Sequence, residues 1–352
     1  MDPSLERLKE ASFFFEKLAS LSEIELKNFV FSWHKEGESV SDLITFIEFL
    51  RAKHPPLRLK SEAYDCAGTG GDKADTFNIS TSSAIVAAAL GLPILKNGGR
   101  SATSKTGSVD FLEELGVNFD LSDEDKIAKF YNYGLSFISS PVSAEYLAPV
   151  KKISKAKKKS SFINLIAPFL SPIELNAQLI GVAHKKWIPI VLDIAKYFIE
   201  KGYRKRIILV HAASPENKEK VLDEAASIWP FKTYFLDREH TIEHSFLPSG
   251  LGMRSGDLPD LRGGDTKENV AILKKLIKAE IPQGDYTEWS AMQSKFETLL
   301  LNSALLFALR EDFSKFSKFA QFLTFYKLKI GEIKTKLDGE TVSAFLEEYL
   351  ER

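Results

Sequence analysis

Residues 65–116 read DCAGTGGDKADTFNISTSSAIVAAALGLPILKNGGRSATSKTGSVDFLEELG, and their punctuation decides the fold class. Tyr64 to Ala67 has the look of a short strand end. Gly68-Thr69-Gly70-Gly71-Asp72 then forces a tight turn, because glycine alone enters positive φ cheaply and lets a ligand or another backbone come close. Asn78, Ser80 and Thr81 stand before an apolar helix, Ser83 to Leu90, that ends at Gly91. Hydroxyl residues cap helix starts, and the free N–H groups there attract anions. The pattern then repeats. Leu92 to Leu95 reads as a buried strand, and Lys96-Asn97-Gly98-Gly99-Arg100 is the next turn. Ser101, Thr103, Ser104, Thr106 and Ser108 lead into a helix at Val109 to Leu115, closed by Gly116.

Two strand–turn–helix units in one stretch suit a cradle for a polyanion, with Lys96 and Arg100 as fixed positive charge. Asp72 is placed to hold a sugar hydroxyl or a metal-bound water. The plainer alternative is two ordinary strand-to-helix loops with capped helices. Two commoner phosphate motifs are excluded: there is no G-x-x-x-x-G-K-[ST], and the dinucleotide fingerprint fails where Lys73 replaces its third glycine.

The whole chain has 352 residues, 44% hydrophobic and 27% charged, which predicts a packed core and room for two domains. A formal net charge of −1 gives no global pull towards nucleic acid or an acidic membrane surface. The single cysteine, Cys66, rules out an intrachain disulfide and fits a reducing cytoplasm. It reads as a buried strand residue rather than a nucleophile. The N-terminus has no basic segment followed by an apolar one, and no apolar run has the length of a membrane span.

Outside that stretch, residues 1–54 read as three helices. The third is carried by Leu43, Phe46, Ile47 and Leu50 at helical spacing and ended by Pro55-Pro56. Leu135 to Ile138 is a strand candidate, Pro172 after Ser171 predicts a helix start, and Ile190 to Gly202 another helix. Arg206 to His211 reads as a buried strand, and the C-terminal part as helical. Residues 151–159, KKISKAKKK, carry six lysines in nine positions. Such a run is commonly a solvated loop. It also suits a basic lid over a polyphosphate, or a salt-sensitive nucleic-acid contact. On spacing alone Asp223-Glu224 is an exposed acidic pair on a helix.

GTGGD, then NIST, then KNGGRSATSKTGSVDFLEELG resemble the signature of the anthranilate phosphoribosyltransferase family: GTGGD, N-x-S-T and KHGNRxxSSxxGSAD-x-LE-x-LG. Further matches in the same order strengthen it. Asn164, Pro168, Pro172, Gln178 and Gly181 fall in register with T-x-F-N-x-L-G-P-L-x-N-P…Q-x-x-G-V. Leu222-Asp223-Glu224 matches L-D-E, and Leu261 to Asn269 matches L-x-G-G-D-x-x-E-N. The resemblance covers roughly residues 60–272.

It implies an α/β fold of the nucleoside phosphorylase/phosphoribosyltransferase kind, with a small discontinuous helical domain and a larger α/β domain around a central, mostly parallel sheet. The helical domain would be residues 1–64, completed by about 165–185. The α/β domain would be 65–164 and 186–352. The implied reaction is Mg²⁺-dependent transfer of phosphoribose from phosphoribosyl pyrophosphate to the amine of anthranilate, in tryptophan biosynthesis. The implied donor-binding residues are Gly68, Gly71, Asp72, Thr76, Asn78, Ser80, Thr81, Lys96, Arg100, Ser104 and Ser108. Mg²⁺ would be held by Ser80, Asp223 and Glu224. No general base is assigned, because an aromatic amine is already neutral at pH 7. The implied assembly is a homodimer paired through the helical domain.

Departures from the family pattern fall on the acceptor side. Gly99 stands where the family has an asparagine, and Ser140 to Glu145 replace H-H-P-A-M-K. The lysine run replaces V-R-x-x-L-G-x-R-T, so the carboxylate-binding arginine has only Lys159 or a neighbour as a substitute. Lysine lacks arginine's planar fork. With Gly68, Gly99 and Lys159 as acceptor-side candidates, the expectation is that anthranilate is used poorly or that another aromatic amine or nitrogen base is preferred. A non-catalytic nucleic-acid-binding member is the reading from another class. The donor motifs and the near-zero charge weigh against it, and salt-dependent DNA retention without donor binding would single it out.

Overall fold

A computed structural model of the chain describes residues 39–98, 107–140, 162–254, 256–280 and 286–351. The expectations placed on the first two helices, Gly99, Arg100, Ser104, residues 141–145 and the lysine run lie outside the described residues. Helix Val40–Lys53 follows Ser39, whose side chain accepts from Asp42 N, and it buries Leu43, Phe46, Ile47 and Leu50 as their spacing predicts.

One sheet organises the rest. Strands β1 (Tyr64–Gly68), β2 (Ile94–Asn97), β3 (Leu135–Ile138), β4 (Ala177–Gly181) and β5 (Arg206–Ala213) are parallel, in the order β3-β2-β1-β4-β5. The short β6 (Val221–Leu222) folds back antiparallel on β5, and the hairpin β7 (Phe231–Leu236) and β8 (Thr241–Phe246) completes the sheet beyond β5. Parallel strands joined through helices are covered on both faces, hence the unbroken burial of β3 and β4. Helix Ile79–Ala89 packs against the long helix Tyr286–Ala308 on one face. On the other face a single apolar cluster runs from helix Val40–Lys53 through Phe162, Ile166 and Phe169 to helix Ile188–Glu200 and β5. Phe46 meets Phe162 edge-on at 5.8 Å.

Two readings need correction. Pro172 starts no helix: its carbonyl accepts from Leu57 N, and the chain runs on into β4. The stretch 165–185 given to the helical domain therefore contains a central strand. Its apolar run is buried between β1 and β5, a neighbourhood that periodicity does not reveal. The β7–β8 hairpin was not anticipated. Its turn is built by Asp237, whose Oδ1 accepts from Glu239 N and His240 N at 2.9 and 2.7 Å. Among the described residues, no helix is long and apolar enough to cross a membrane.

Under the sheet's second face lies a buried polar seam. Asp65 is fully buried, with Gln178 Nε2 donating to its Oδ2 at 3.3 Å and to Pro168 O at 2.7 Å. Burial raises the Asp65 pKa from 3.8 to about 6, against the fields of Lys96 and Arg204. A carboxyl whose folded pKa lies above its unfolded value opposes folding when ionised. That cost is complete above about pH 6 and disappears as pH falls towards 4. Asp65→Asn should therefore raise stability by about 1–3 kcal/mol at pH 8, and the gain should fade between pH 6 and 4. Calorimetric melting at pH 8, 6 and 4 checks this; a gain independent of pH would contradict it.

Candidate active site

Strand order reverses between β1 and β4, because the chain steps outward to β2 and β3 before returning to β4. Ligands of open α/β sheets bind at the carboxyl ends of strands at such a crevice. Here the two strands end on paired glycines, Gly68 opposite Gly181. The pair makes room for one residue. A Cβ on Gly68 would lie 2.1 Å from Asp223 Oδ2, and one on Gly181 would lie 1.6 Å from the Asp223 carbonyl oxygen.

Asp223 and Glu224 follow β6 in a bend, not on a helix, and Asp223 is only 8% exposed, so the spacing-based expectation of an exposed helical pair fails. The bend is pinned from behind. Asn302, on helix Tyr286–Ala308, accepts from Ala225 N at 3.1 Å and donates to Ala225 O at 2.8 Å. In front, Gly70 N–H donates to Asp223 Oδ2 at 2.8 Å. The turn supplying it is left-handed at Gly70, Gly71, Lys73 and Asp75. Two of these are non-glycine residues held at φ 58° and 50°, strain of the kind that concentrates at functional sites.

That turn brings Asp72 to the pair. Asp72, Asp223 and Glu224 each offer a carboxylate oxygen, and these oxygens lie within 4.8 Å of one another. Burial, then the Asp223 charge, pushes the Asp72 pKa up to about 8. Burial, then Asp223 and Asp72, raises that of Glu224 well above the usual range, while the Lys96 field opposes the rise. Three crowded carboxylates are the donor set a hard divalent cation takes. Glu224 Oε2 is buried without a hydrogen-bond partner among the described residues, as are Asn78 Oδ1 and Ser83 Oγ at the start of the facing helix. Oxygens left in this condition fit a bound cation and the groups of a polar ligand.

The predicted residues divide accordingly. Gly68 and Ser80 line one small cleft with Asp223 and Glu224, and Ser83, which was not singled out, lines it too. Asp72 joins the carboxylate cluster, whereas the sequence reading gave direct metal ligation to Ser80, Asp223 and Glu224 and placed Asp72 on a sugar hydroxyl or a metal-bound water. Gly71 forms the turn at φ 88°. Asn78 caps helix Ile79–Ala89 without using its side chain on the backbone, and Thr81 is buried in the first turn. Thr76 bridges Arg262, while Phe77 N–H donates to Leu261 O. The Leu261–Asn269 motif therefore braces the loop. Lys96 lies 3% exposed beneath the cleft, its Nζ on the Cys66 carbonyl at 2.5 Å. It acts there through its field. Ser108 opens helix Ser108–Leu115.

The sequence reading missed Asn302, the role of Gly181, and two histidines. Burial lowers the pKa of both His184 and His211, and the Asp223 charge acts on each in the opposite direction. His211 Nδ1 lies 2.8 Å from Val182 O, which assigns the ring proton to that nitrogen.

Residues 60–323 match the family described as "Glycosyl transferase family, a/b domain". Anthranilate phosphoribosyltransferase from Chlamydia caviae is 34% identical over 244 residues, 69% of this chain and 68% of the relative. The chain belongs to the anthranilate phosphoribosyltransferase family. The enzyme of that name from Chlorobaculum tepidum is 32% identical over 249 residues, 71% of this chain and 69% of the relative. Among solved structures, anthranilate phosphoribosyltransferase from Thermus thermophilus superposes with a TM-score of 0.74 at 22% identity, covering 97% of this chain and 94% of that one. The Saccharomyces cerevisiae enzyme, in complex with phosphoribosyl pyrophosphate and Mg, superposes with a TM-score of 0.74 at 24% identity, covering 94% and 85%. At these identities the superpositions establish the fold. They bear out the α/β architecture with its central, mostly parallel sheet.

Proposed function

We propose that this chain is a Mg²⁺-dependent phosphoribosyltransferase that joins the amine of anthranilate to the phosphoribose of phosphoribosyl pyrophosphate, a step of tryptophan biosynthesis. The observation that carries the reading is the Asp72–Asp223–Glu224 cluster facing the start of helix Ile79–Ala89 across the Gly68–Gly181 pair. The names of the relatives support the acceptor, and the S. cerevisiae complexes with phosphoribosyl pyrophosphate and Mg and with 4-fluoroanthranilate support donor, metal and acceptor class.

In the transfer a C–N bond forms at the ribose carbon while the C–O bond to pyrophosphate breaks. A divalent cation supplies charge neutralisation for the departing diphosphate. Asp72, Asp223 and Glu224, with Ser80, would hold it. The turn at Gly68–Asp72 and the first turn of helix Ile79–Ala89, with Asn78, Ser80 and Thr81, cradle the donor, and positioning dominates the rate gain. No residue is asked to remove a proton before attack, since the amine is neutral.

A second acceptor is favoured by one observation: Gly99, Ser140 to Glu145 and the lysine run replace the family's acceptor-side residues. Losing one charged hydrogen bond, worth roughly 1.5–3 kcal/mol, lowers acceptor use by about tenfold or more. Loss of anthranilate fluorescence at saturating donor and Mg²⁺ gives kcat/KM directly. A value of roughly 10⁴ M⁻¹s⁻¹ or above makes anthranilate the substrate. A far lower one, with another aromatic amine consumed faster, transfers the reading to that amine. We further infer a symmetric dimer in the cytoplasm, supported by the aromatic-rich N-terminal sequence (Phe13, Phe14, Phe15, Phe29, Phe31 and Trp33) and by Cys66 being a free, buried thiol. Light scattering from a monomer at micromolar concentration would exclude the dimer.

A further inference from the structure

The peptide between Thr69 and Gly70 is held on both sides. Its carbonyl oxygen accepts from Asn164 Nδ2 at 2.7 Å, and its N–H donates to Asp223 Oδ2 at 2.8 Å. We propose that Asn164 is a positioning residue for the cation site, fixing this peptide so that Gly70 keeps the Asp223 carboxylate turned towards Asp72 and Glu224. The inference rests on reading the three carboxylates as a divalent-cation site.

Thr69 itself is anchored to β4: its N–H donates to Gly181 O, and its hydroxyl accepts from Ala183 N, both at 2.9 Å. Rotation remains open at the next peptide, because Gly70 sits at φ 63° and has no Cβ to oppose a flip. A flipped peptide would present its carbonyl to the Asp223 carboxylate, oxygen against oxygen. The Asn164 amide opposes that flip by donating to the carbonyl where it now stands. Donation to the carbonyl also polarises the peptide and strengthens its N–H as a donor to Asp223. The contacts join segments far apart in sequence: Asn164 lies 95 residues from Thr69, and Asp223 lies 153 from Gly70. Asn164 also belongs to helix Ile163–Ile166, which is packed in the same apolar cluster as helix Val40–Lys53. The helical part of the fold therefore reaches the cation site through this peptide.

Mn²⁺ titration of the full chain, read by electron paramagnetic resonance as loss of the free-ion signal, tests this without turnover. Asn164→Ala and Asn164→Leu, the latter close to asparagine in shape but lacking the donor, should bind Mn²⁺ roughly 10–100-fold more weakly, the scale of losing an outer hydrogen bond to a metal ligand, here that of Gly70 N–H to Asp223. Ile163→Val trims packing in the same helix and should leave Mn²⁺ affinity unchanged. Folded Asn164→Leu protein with wild-type affinity would overturn the inference, as would an equal loss in Ile163→Val. Wild-type protein that takes up no Mn²⁺ would overturn the cation reading and this inference together.

Discussion

Asp223→Ala combined with Glu224→Ala should lower turnover by about two orders of magnitude or more, the scale of losing a preorganised stabiliser of transition-state charge. Removing these two leaves Asp72 as the only carboxylate of the cluster. One carboxylate is a poor hold for a cation that must also meet a diphosphate. The bend itself should persist, because Asn302 grips the backbone of Ala225 rather than either side chain. Circular dichroism should therefore match the wild type while calorimetry shows weakened Mg²⁺-dependent donor binding. Equal donor binding by the double variant, with and without Mg²⁺, would remove both residues from the site.

What the sequence disclosed about this site was local. GTGGD and NIST lie within a few residues of the strand end and helix start they build, so the turn and the helix were legible, although the helix begins at Ile79 rather than Ser83, with Ser80 and Thr81 inside it and no side chain capping its start. Leu43, Phe46, Ile47 and Leu50 were legible for the same reason, since one helix turn separates neighbours on a face. The parallel sheet and the metal pair came from resemblance, not from spacing.

What stayed hidden depends on register between distant segments. Gly68 and Gly181 are 113 positions apart in sequence and become partners only when β1 and β4 align. Asp72 enters the carboxylate cluster only through the left-handed turn that carries it to Asp223. Lys96, read as a fixed charge in the turn after the strand, is instead the third residue of β2 and buried, so the strand's alternation decides where its ammonium goes. Asn302 sits in a helix of apolar residues with no local sign that its amide clamps the site. Asp223-Glu224 looked like a solvated pair because adjacent acids on a helix usually are one.

Gly181→Ala should be the more damaging of the two glycine substitutions beneath Asp223. A methyl there would stand 1.6 Å from the Asp223 carbonyl oxygen, 2.6 Å from its carbonyl carbon and 3.0 Å from its Cβ. The first two are backbone atoms, so no side-chain rotation relieves the overlap. The bend or β4 must move, and both are held by hydrogen bonds. Overpacking of this kind costs about 1–3 kcal/mol or more, and the displacement separates Asp223 from Asp72 and Gly70. Both the melting temperature and turnover should fall, the latter by about a hundredfold, comparable with loss of a charge stabiliser. Gly68→Ala meets instead the Asp223 side chain, at 2.1 Å from Oδ2 and 2.9 Å from Cγ. That clash is relieved by swinging the carboxylate away, which breaks its bond to Gly70 N–H but leaves the strands paired. Turnover should therefore drop by a similar factor with much less loss of stability. Calorimetric melting and initial rates at saturating donor and Mg²⁺ separate the two cases. A Gly181→Ala protein with wild-type melting and rate would mean that the 223–224 bend does not rest on β4.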